Sequence, residues 1–248
     1  MLHEAQAPAM QTLVETDTLR ILYRTGFGSE NRTLLSFTGA HHALGGIDVQ
    51  KPEFHRTGAA FGKIVFVIDK TSSWGSNVDF RTVAKIAADV AGGGAIHAVG
   101  NSMGAFNLIA AARFIPIGTG LCFVPQFSID PAVAPWETRP NRYVPDLDPR
   151  RLPDLRKSVH RPSRLYVFSS GMGLDARQAA LFPVHPNIHH FLFRTVGHNL
   201  AAVLKAEGTL DTVIRSAFDS HLDLAALRDL HPGDIAQLSP SPEPQDAR

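Results

Sequence analysis

Cysteine is almost absent from this sequence. Cys122 is the single cysteine among 248 residues, so no disulfide can form within the chain. The fold must therefore be held together by its apolar core, and so little cysteine is typical of a reducing compartment. An excess of either charge is also missing, because 24 lysines and arginines face 23 aspartates and glutamates. A formal net charge of +1 gives no general indication of a nucleic acid or an acidic surface as partner.

Long apolar runs are missing as well. No stretch approaches the roughly 18 apolar residues of a membrane-spanning helix, and polar residues interrupt positions 1–17, where a secretory signal would need an apolar centre. We therefore expect a cytoplasmic protein with no membrane span. The sequence also shows no cofactor motif and no metal-ligand spacing. The adjacent pair His41 and His42 lacks the further ligands of a zinc site, and we interpret it as part of a loop that faces a substrate.

The sequence has, in contrast, a clear alternation of two patterns. Compact apolar runs at 33–38, 63–68 and 95–99 alternate with segments such as 78–90, in which apolar residues recur at helical spacing. Continuous β-branched runs are typical of strands that are buried on both faces of a sheet. Strands that alternate with helices favour a parallel arrangement. We therefore predict an α/β fold with a mostly parallel central sheet and helices on both faces.

We expect one domain over residues 11–230, a length that suits a single core. Within it, residues 125–164 are rich in proline and arginine and contain no long apolar run, which predicts a small irregular cap inserted into the domain. The basic side chains of this cap form either a solvated surface or a contact for an anionic substrate. Residues 231–248 are rich in proline, serine, aspartate and glutamine, and we predict that they form a disordered tail.

One pentapeptide, Gly100-Asn101-Ser102-Met103-Gly104, lies between a predicted strand and a predicted helix. Gly-x-Ser-x-Gly in that setting is the pattern of a nucleophile elbow, in which a tight turn presents the serine hydroxyl. The glycines permit a close approach of strand and helix around a strained serine. The backbone N–H of Met103 then points to the same space and is a candidate oxyanion donor. The alternative is an ordinary strand–helix turn that requires small residues.

A serine hydroxyl needs a base to take its proton, and the base needs an acid that fixes its tautomer. The chain offers Ser102, Asp175 and His198 in the order serine, acid, histidine. Each follows a predicted strand, and the carboxyl ends of parallel strands meet at one edge of a sheet. We therefore predict that these three side chains converge. Asp130, which follows an earlier strand, is the alternative acid, or it caps a helix.

Other histidines compete with His198 for the role of base. His198 is favoured because it follows the last predicted strand of the alternating region and precedes a helix. We expect His97 to be a core residue, and at least one of His189 and His190 to point into helix packing. The remaining competitors near strands are His41, His42 and His185.

These motifs resemble the α/β-hydrolase superfamily over roughly residues 18–206. More narrowly, the segment Val124-Pro-Gln-Phe-Ser-Ile-Asp130, with Leu174-Asp175 and Gly197-His198-Asn199, resembles a group of bacterial serine hydrolases associated with surface-polysaccharide biosynthesis. In the superfamily a His-Gly dipeptide usually precedes the second oxyanion donor. This chain has Thr38-Gly39 there, and the resemblance then implies the N–H of Ala40 as that donor.

The resemblance implies hydrolysis of an ester, thioester or amide, or acyl transfer, through an acyl-serine. Our first hypothesis is a carboxylic-ester hydrolase with a small-molecule ester, thioester or acyl-sugar substrate and no cofactor. The second is an acyltransferase to a sugar or another hydroxyl acceptor. The third is a non-catalytic scaffold that binds a partner through its basic cap. Trp74 and Trp136 are candidate walls of the pocket, and the sequence indicates no oligomeric state.

Overall fold

The computed structural model describes residues 9–40, 42–44, 47–49, 53–54, 60–145 and 148–238, with only the backbone described at 42–44 and 47–49. The strands are β1 (Gln11–Glu15), β2 (Leu19–Thr25), β3 (Ser29–Phe37), β4 (His42–Leu44), β5 (Ile47–Val49), β6 (Phe61–Asp69), β7 (Ala95–Asn101), β8 (Ile117–Phe123), β9 (Arg164–Ser170), β10 (Ile188–Phe193) and β11 (Ile235–Gln237). The helices are α1 (Phe80–Ala91), α2 (Met103–Ala111), α3 (Gly173–Ala179), α4 (Leu200–Ala206), α5 (Leu210–Phe218) and α6 (Leu224–Leu230).

The described strands form a nine-stranded sheet in the order β1-β2-β6-β3-β7-β8-β9-β10-β11, and β4 and β5 form a separate hairpin. The six central strands from β6 to β10 in this order run parallel, and β1, β2 and β11 are antiparallel additions at the two edges. The predicted mostly parallel sheet is therefore confirmed. Its parallel strands are joined by crossovers, so their carboxyl ends lie at the same edge.

Two apolar cores lie on opposite faces of this sheet. Alternate residues of β6 show the division, because Val65 and Val67 pack with α1 and α2, whereas Ile64 and Phe66 pack with α4, α5 and α6. A strand with side chains buried on both faces must be apolar throughout, which explains the run at 63–68. The prediction of helices on both faces is confirmed. None of the described helices is long and apolar enough to cross a membrane.

The helix boundaries follow from local chemistry. The Asp79 side chain accepts hydrogen bonds from the N–H groups of Arg81 and Thr82 and so caps the start of α1. Gly92, with φ 59°, ends the same helix in the left-handed conformation. Every residue of α2 is buried, because this Ala-rich helix lies between the sheet and the segment that connects β8 to β9.

That connecting segment, residues 124–163, is called the β8–β9 segment below. Its described part contains three short 3₁₀ turns, at Arg139–Arg142, Pro149–Arg151 and Leu155–Lys157. Leu155 and Val159 are buried in the same core as Phe106 of α2. The segment is therefore irregular, as predicted, and it shares the core of the main domain.

The predicted tail begins too early in the chain. Ile235–Gln237 form β11, which pairs with β10 in antiparallel register, and Ile235 is buried. A short apolar strand at a sheet edge gains hydrogen bonds and burial that its proline-rich surroundings do not reveal. Residues 239–248 lie outside the described part of the chain.

Candidate active site

Ser102 lies at the sharp turn between β7 and α2. Its backbone has φ 54° and ψ −120°, a strained conformation for a residue with a side chain. The glycines of the pentapeptide permit it. A Cβ on Gly104 would lie 2.1 Å from the carbonyl oxygen of Phe37 in β3, and a Cβ on Gly100 would lie 2.4 Å from the carbonyl carbon of Gly104. Only glycine fits these contacts, so the sequence Gly-x-Ser-x-Gly presents the hydroxyl at the carboxyl edge of the sheet.

Two further side chains form a chain of contacts with this serine, because His198 contacts Ser102 and Asp175 contacts His198. His198 follows β10, and Asp175 lies in the first turn of α3, which follows β9. His198 Nε2 lies 2.9 Å from Ser102 Oγ, and His198 Nδ1 lies 2.9 Å from Asp175 Oδ2. When Nδ1–H donates to the carboxylate, Nε2 keeps its lone pair and can accept the serine proton. The structure therefore brings together the three residues predicted to converge, in the geometry of a Ser-His-Asp triad.

The two backbone groups predicted as oxyanion donors lie at the same sheet edge. Met103 directly follows Ser102 as the first residue of α2. Ala40 comes three residues after the end of β3, and β3 pairs with β7 so that Phe37 stands opposite Gly100. Both groups therefore follow the carboxyl ends of two adjacent strands, β7 and β3. The role of these two N–H groups stays a prediction.

Several solved structures are similar to this chain. A capsule O-acetyltransferase of Neisseria meningitidis serogroup A matches 81% of this chain and 93% of its own, with 12% identity and a TM-score of 0.55. An α/β serine hydrolase without a lid, from Xanthomonas campestris, matches 85% and 94%, with 12% identity and a TM-score of 0.52. An α/β serine hydrolase homologue from Coxiella burnetii matches 88% and 99%, with 11% identity and a TM-score of 0.53. The chain has the α/β-hydrolase fold. No family model and no curated protein matches its sequence.

Within this α/β-hydrolase fold, Asp175 is held in its charged form. Burial by itself raises the pKa of Asp175, because the carboxylate loses hydration. The hydrogen bonds from His198 and Arg139, with their positive charges, outweigh burial and hold the pKa of Asp175 below its usual range. A carboxylate that stays charged can orient the imidazole and stabilise its protonated form.

Arg139 and Glu137, both in the β8–β9 segment, are partners of Asp175 that the sequence analysis missed. Arg139 Nη1 donates to Asp175 Oδ1 at 2.6 Å. Glu137 binds the same guanidinium through both oxygens, at 2.7 Å from Nε and 2.5 Å from Nη2. Gln178 of α3 donates to Glu137 Oε2 at 3.0 Å. These contacts attach the segment directly to the candidate site.

A short sequence pattern marks this pair. Three times in the β8–β9 segment an acid precedes an arginine by two residues, and each time the carboxylate binds both the backbone N–H and the side chain of that arginine. The pairs are Glu137 and Arg139, Asp148 and Arg150, and Asp154 and Arg156. The pattern acid-x-Arg therefore predicts a local ion pair, but it does not tell which of the three pairs reaches the triad.

Gln126, also in the β8–β9 segment, is a third residue that sequence reasoning missed. It is 2% exposed. Its Nε2 lies 3.5 Å from Ser102 Oγ, and its Oε1 accepts a hydrogen bond from Trp74 Nε1 at 3.3 Å. Two residues earlier, Val124 has φ 42°, which is an unfavourable conformation for a β-branched residue. This strained turn follows β8 and directs Gln126 to the serine.

Glu53 lies beside the predicted oxyanion donor. Its Oε1 accepts a hydrogen bond from the N–H of Gly39 at 3.2 Å, next to Ala40 in the chain. Burial raises the pKa of Glu53 to about 7, although the hydrogen bond from Gly39 opposes this change. An ionisable carboxyl group therefore contacts the loop that would carry the second donor.

The alternative acid, Asp130, does not contact His198. Its Oδ1 accepts a hydrogen bond from the N–H of Ala132 at 2.9 Å, and its carbonyl accepts from Val133 and Ala134. Asp130 therefore stabilises its own turn, which is close to the helix-capping role considered for it from the sequence. Asp175 holds the position next to the imidazole.

The competing histidines are placed elsewhere. His190 is buried, lies 2.8 Å from Ser169 Oγ of β9 and packs against Phe182, which follows α3. His97 lies against the rings of Phe61 and Phe218, as expected for a core histidine. Burial lowers the pKa of His97 and of His190 to about 4, so both are neutral near pH 7.

The remaining predicted positions have mixed outcomes. His41 and the side chain of His42 lie outside the described residues. Trp74 is buried against Tyr143, and Trp136 packs under the guanidinium of Arg177 at 4.2 Å, so their roles as pocket walls stay predictions. Within the described ranges, no cluster of three or more His, Cys, Asp or Glu residues could hold a metal ion.

Proposed function

We propose that this protein is a serine hydrolase that cleaves a small ester or thioester through an acyl-serine intermediate. The observation that carries the proposal is the continuous chain from Ser102 Oγ through His198 to Asp175, with both links at 2.9 Å. A nucleophile, a base and an orienting acid within hydrogen-bond distance are the parts that activate a serine.

In the first half of the reaction, Ser102 Oγ attacks the carbonyl carbon while His198 Nε2 takes the hydroxyl proton. The carbonyl oxygen becomes negative, and the N–H groups of Met103 and Ala40 stabilise it. His198 then gives its proton to the leaving oxygen or sulfur as the bond to the carbonyl carbon breaks. The acyl group is left on Ser102, and Asp175 stabilises the imidazolium throughout.

In the second half, an acceptor hydroxyl attacks the carbonyl carbon of the acyl-serine while His198 Nε2 takes the hydroxyl proton. The bond between that carbon and Ser102 Oγ then breaks, and His198 gives the proton back to Ser102 Oγ. If the acceptor is water, the protein is a hydrolase. If it is a sugar or another alcohol, the protein is an O-acyltransferase. The likeness to a capsule O-acetyltransferase of Neisseria meningitidis and the resemblance of the 124–130 segment to hydrolases of surface-polysaccharide biosynthesis favour this second candidate function.

A fluorophosphonate probe, which reacts with activated serines, tests the common part of both functions. We expect the folded protein to be labelled at Ser102, and we expect Ser102→Ala to abolish labelling and to lower ester hydrolysis by on the order of 10³-fold or more. Intact-protein mass spectrometry measures the labelling.

Ser29→Ala is the matched control, because Ser29 is exposed at the other end of β3 from the site. It should label at the wild-type rate. Equal labelling of Ser102→Ala and the wild type, or no labelling of the folded wild type, would contradict the proposal and favour the non-catalytic scaffold.

Product partition separates the two candidate functions. An activated acetyl ester is supplied with and without an oligosaccharide acceptor, and acetate and acetylated sugar are both measured. A hydrolase releases acetate at the same rate in both cases, whereas an acyltransferase diverts the acetyl group to the sugar.

A further inference from the structure

The Asp175 carboxylate is shared between two hydrogen-bond donors, the imidazole of His198 and the guanidinium of Arg139. His198 Nδ1 lies 2.9 Å from Asp175 Oδ2, and Arg139 Nη1 donates a hydrogen bond to Asp175 Oδ1 at 2.6 Å. Arg139 Nη1 also lies 3.4 Å from His198 Nδ1. The guanidinium is thus in contact with both members of the base–acid pair, and its side chain is only 25% exposed.

A guanidinium in this position opposes the proposed chemistry if it acts alone. The base must carry a positive charge during the reaction, and a negative carboxylate stabilises that charge. Arg139 cancels the charge of Asp175 and repels a protonated His198 at short range. The arrangement therefore requires a further negative group.

Glu137 supplies that negative group. Its side chain is fully buried, and both of its oxygens bind the guanidinium. The hydrogen bonds to Glu137 and Asp175 together raise the pKa of Arg139 although burial lowers it, so the arginine stays charged. Asp175, Arg139 and Glu137 then have a combined charge of −1, the same as a lone aspartate.

The groups that surround this cluster come from four places. α3 supplies Asp175 and the neutral Gln178, the β8–β9 segment supplies Glu137 and Arg139, the turn before α2 supplies Ser102, and His198 follows β10. Among the described residues, the charged groups in contact with Asp175 and His198 are therefore Arg139 and, through it, Glu137.

We propose that Arg139 and Glu137 are positioning residues of this site. Arg139 fixes the orientation of the Asp175 carboxylate by occupying one of its oxygens, and Glu137 cancels the guanidinium charge so that the carboxylate still stabilises a protonated His198. The inference rests on the proposed function, because it concerns the same base.

The test uses Glu137→Gln alone and in combination with Arg139→Gln. Glutamine keeps the size of Glu137 and one acceptor oxygen, but it leaves the cluster with a net charge of zero. We expect the pH at which His198 takes up a proton to fall by about one unit, and the acidic limb of the kcat/KM profile to move with it. The double variant returns the net charge to −1, so we expect the limb to return to its wild-type position, with a lower maximal rate because Asp175 is held less firmly.

Asp148→Asn is the control, since it removes the carboxylate of an exposed ion pair with Arg150 in the same segment. It should leave the profile unchanged. If Glu137→Gln does not move the profile, or if the double variant stays shifted with Glu137→Gln, the two residues have no charge-balancing role and the inference fails. The inference also fails if Glu137→Gln lowers the activity without moving the acidic limb of the kcat/KM profile.

A second readout separates this inference from the proposed function. NMR of the imidazole groups, measured in the Ser102→Ala background, follows protonation of His198 without any turnover. If the fluorophosphonate probe fails to label the wild type but the imidazole titrations shift and recover as described, the proposed function fails and the charge balance stands. If the probe labels the wild type but the imidazole titrations do not shift, the proposed function stands and the charge balance fails.

Discussion

At the scale of single residues, the donor-only chemistry of an indole fixes the orientation of Gln126. Trp74 Nε1–H can only donate, so the atom of Gln126 that faces it must be the carbonyl oxygen. The amide NH₂ group is then turned toward Ser102 Oγ. Gln126 is thus placed to donate a weak hydrogen bond to Ser102 Oγ, the atom that carries the acyl group in the proposed mechanism.

We expect Gln126→Met to lower kcat/KM for an ester by about tenfold, because one donor near the developing negative charge is lost. Gln126→Glu should lower kcat/KM further, because a carboxylate beside the oxyanion repels it. Steady-state kinetics and the rate of fluorophosphonate labelling check both variants. Rates equal to the wild type in both would show that Gln126 only supports packing around Trp74.

At the scale of elements, the turn between β7 and α2 depends on a close backbone approach. Gly104 lies against the carbonyl of Phe37, which belongs to the neighbouring strand β3. The same contact brings the loop after β3, with Gly39 and Ala40, next to Ser102. The contact between Gly104 and Phe37 therefore both packs α2 against β3 and places the predicted oxyanion donor, Ala40, near Ser102.

Gly104→Ala should destabilise the fold by about 3 kcal/mol, the upper range of overpacking in a core, because the added methyl group meets backbone atoms that cannot move independently. Gly118→Ala, in β8, is the comparison. Its Cβ would lie 3.5 Å from the nearest atom, the carbonyl oxygen of Ile96, so we expect a change within about 0.5 kcal/mol. Urea denaturation measures both, and equal stability of the two variants would refute the argument.

Local ion pairs also determine the surface charge of the β8–β9 segment. Its arginines predict a basic surface when they are counted in the sequence, but in the structure three of them pair with acids two residues earlier. These local pairs reduce the net field that an anionic substrate would meet. The segment contributes to the site mainly through Glu137, Arg139 and Gln126, whose contacts connect it to α3 and the serine.

At the scale of the whole molecule, stability depends on pH through carboxyl groups whose pKa changes on folding. Burial raises the pKa of Glu53 to about 7 in the folded protein, against an ordinary value near 4.5. Between these two values the unfolded chain releases the proton and the folded chain keeps it. The folded state therefore binds more protons, and its stability falls as the pH rises through this window.

We expect Glu53→Gln to be more stable than the wild type at pH 8 by up to about 3 kcal/mol, and of similar stability at pH 4.5. Glu15→Gln gives a comparison of opposite sign. Hydrogen bonds from Arg20 and Lys70 lower the pKa of Glu15 to about 2. The charged Glu15 carboxylate therefore stabilises the folded state above pH 4.5, and this stabilisation is lost as the pH falls toward 2. Glu15→Gln lacks it at every pH. Thermal unfolding from pH 2 to pH 8 measures both, and a constant difference between Glu53→Gln and the wild type from pH 4.5 to pH 8 would contradict the prediction.

Much of the fold and the three converging side chains could be predicted from the sequence. Apolar β-branched runs predict strands buried on both faces, and Ser102, Asp175 and His198 each follow such a run. Because parallel strands end at one edge of the sheet, their order along the chain is sufficient to predict that they meet. The short strand β11 was missed because its three residues carry no period that distinguishes them from a tail.

The layers of the fold, and the sheet edge at which Ser102, Asp175 and His198 meet, could be derived from the sequence alone, because both follow from periodic burial and from the backbone freedom of Gly100 and Gly104. Tertiary packing fixed which charged residues lie beside Asp175 and which lies beside the loop after β3. Glu137, Arg139 and Glu53 belong to irregular segments, where no period relates position in the chain to position in space. Their partners are set by packing between distant segments, and that packing places a compensated ion pair, rather than a free basic surface, next to Asp175.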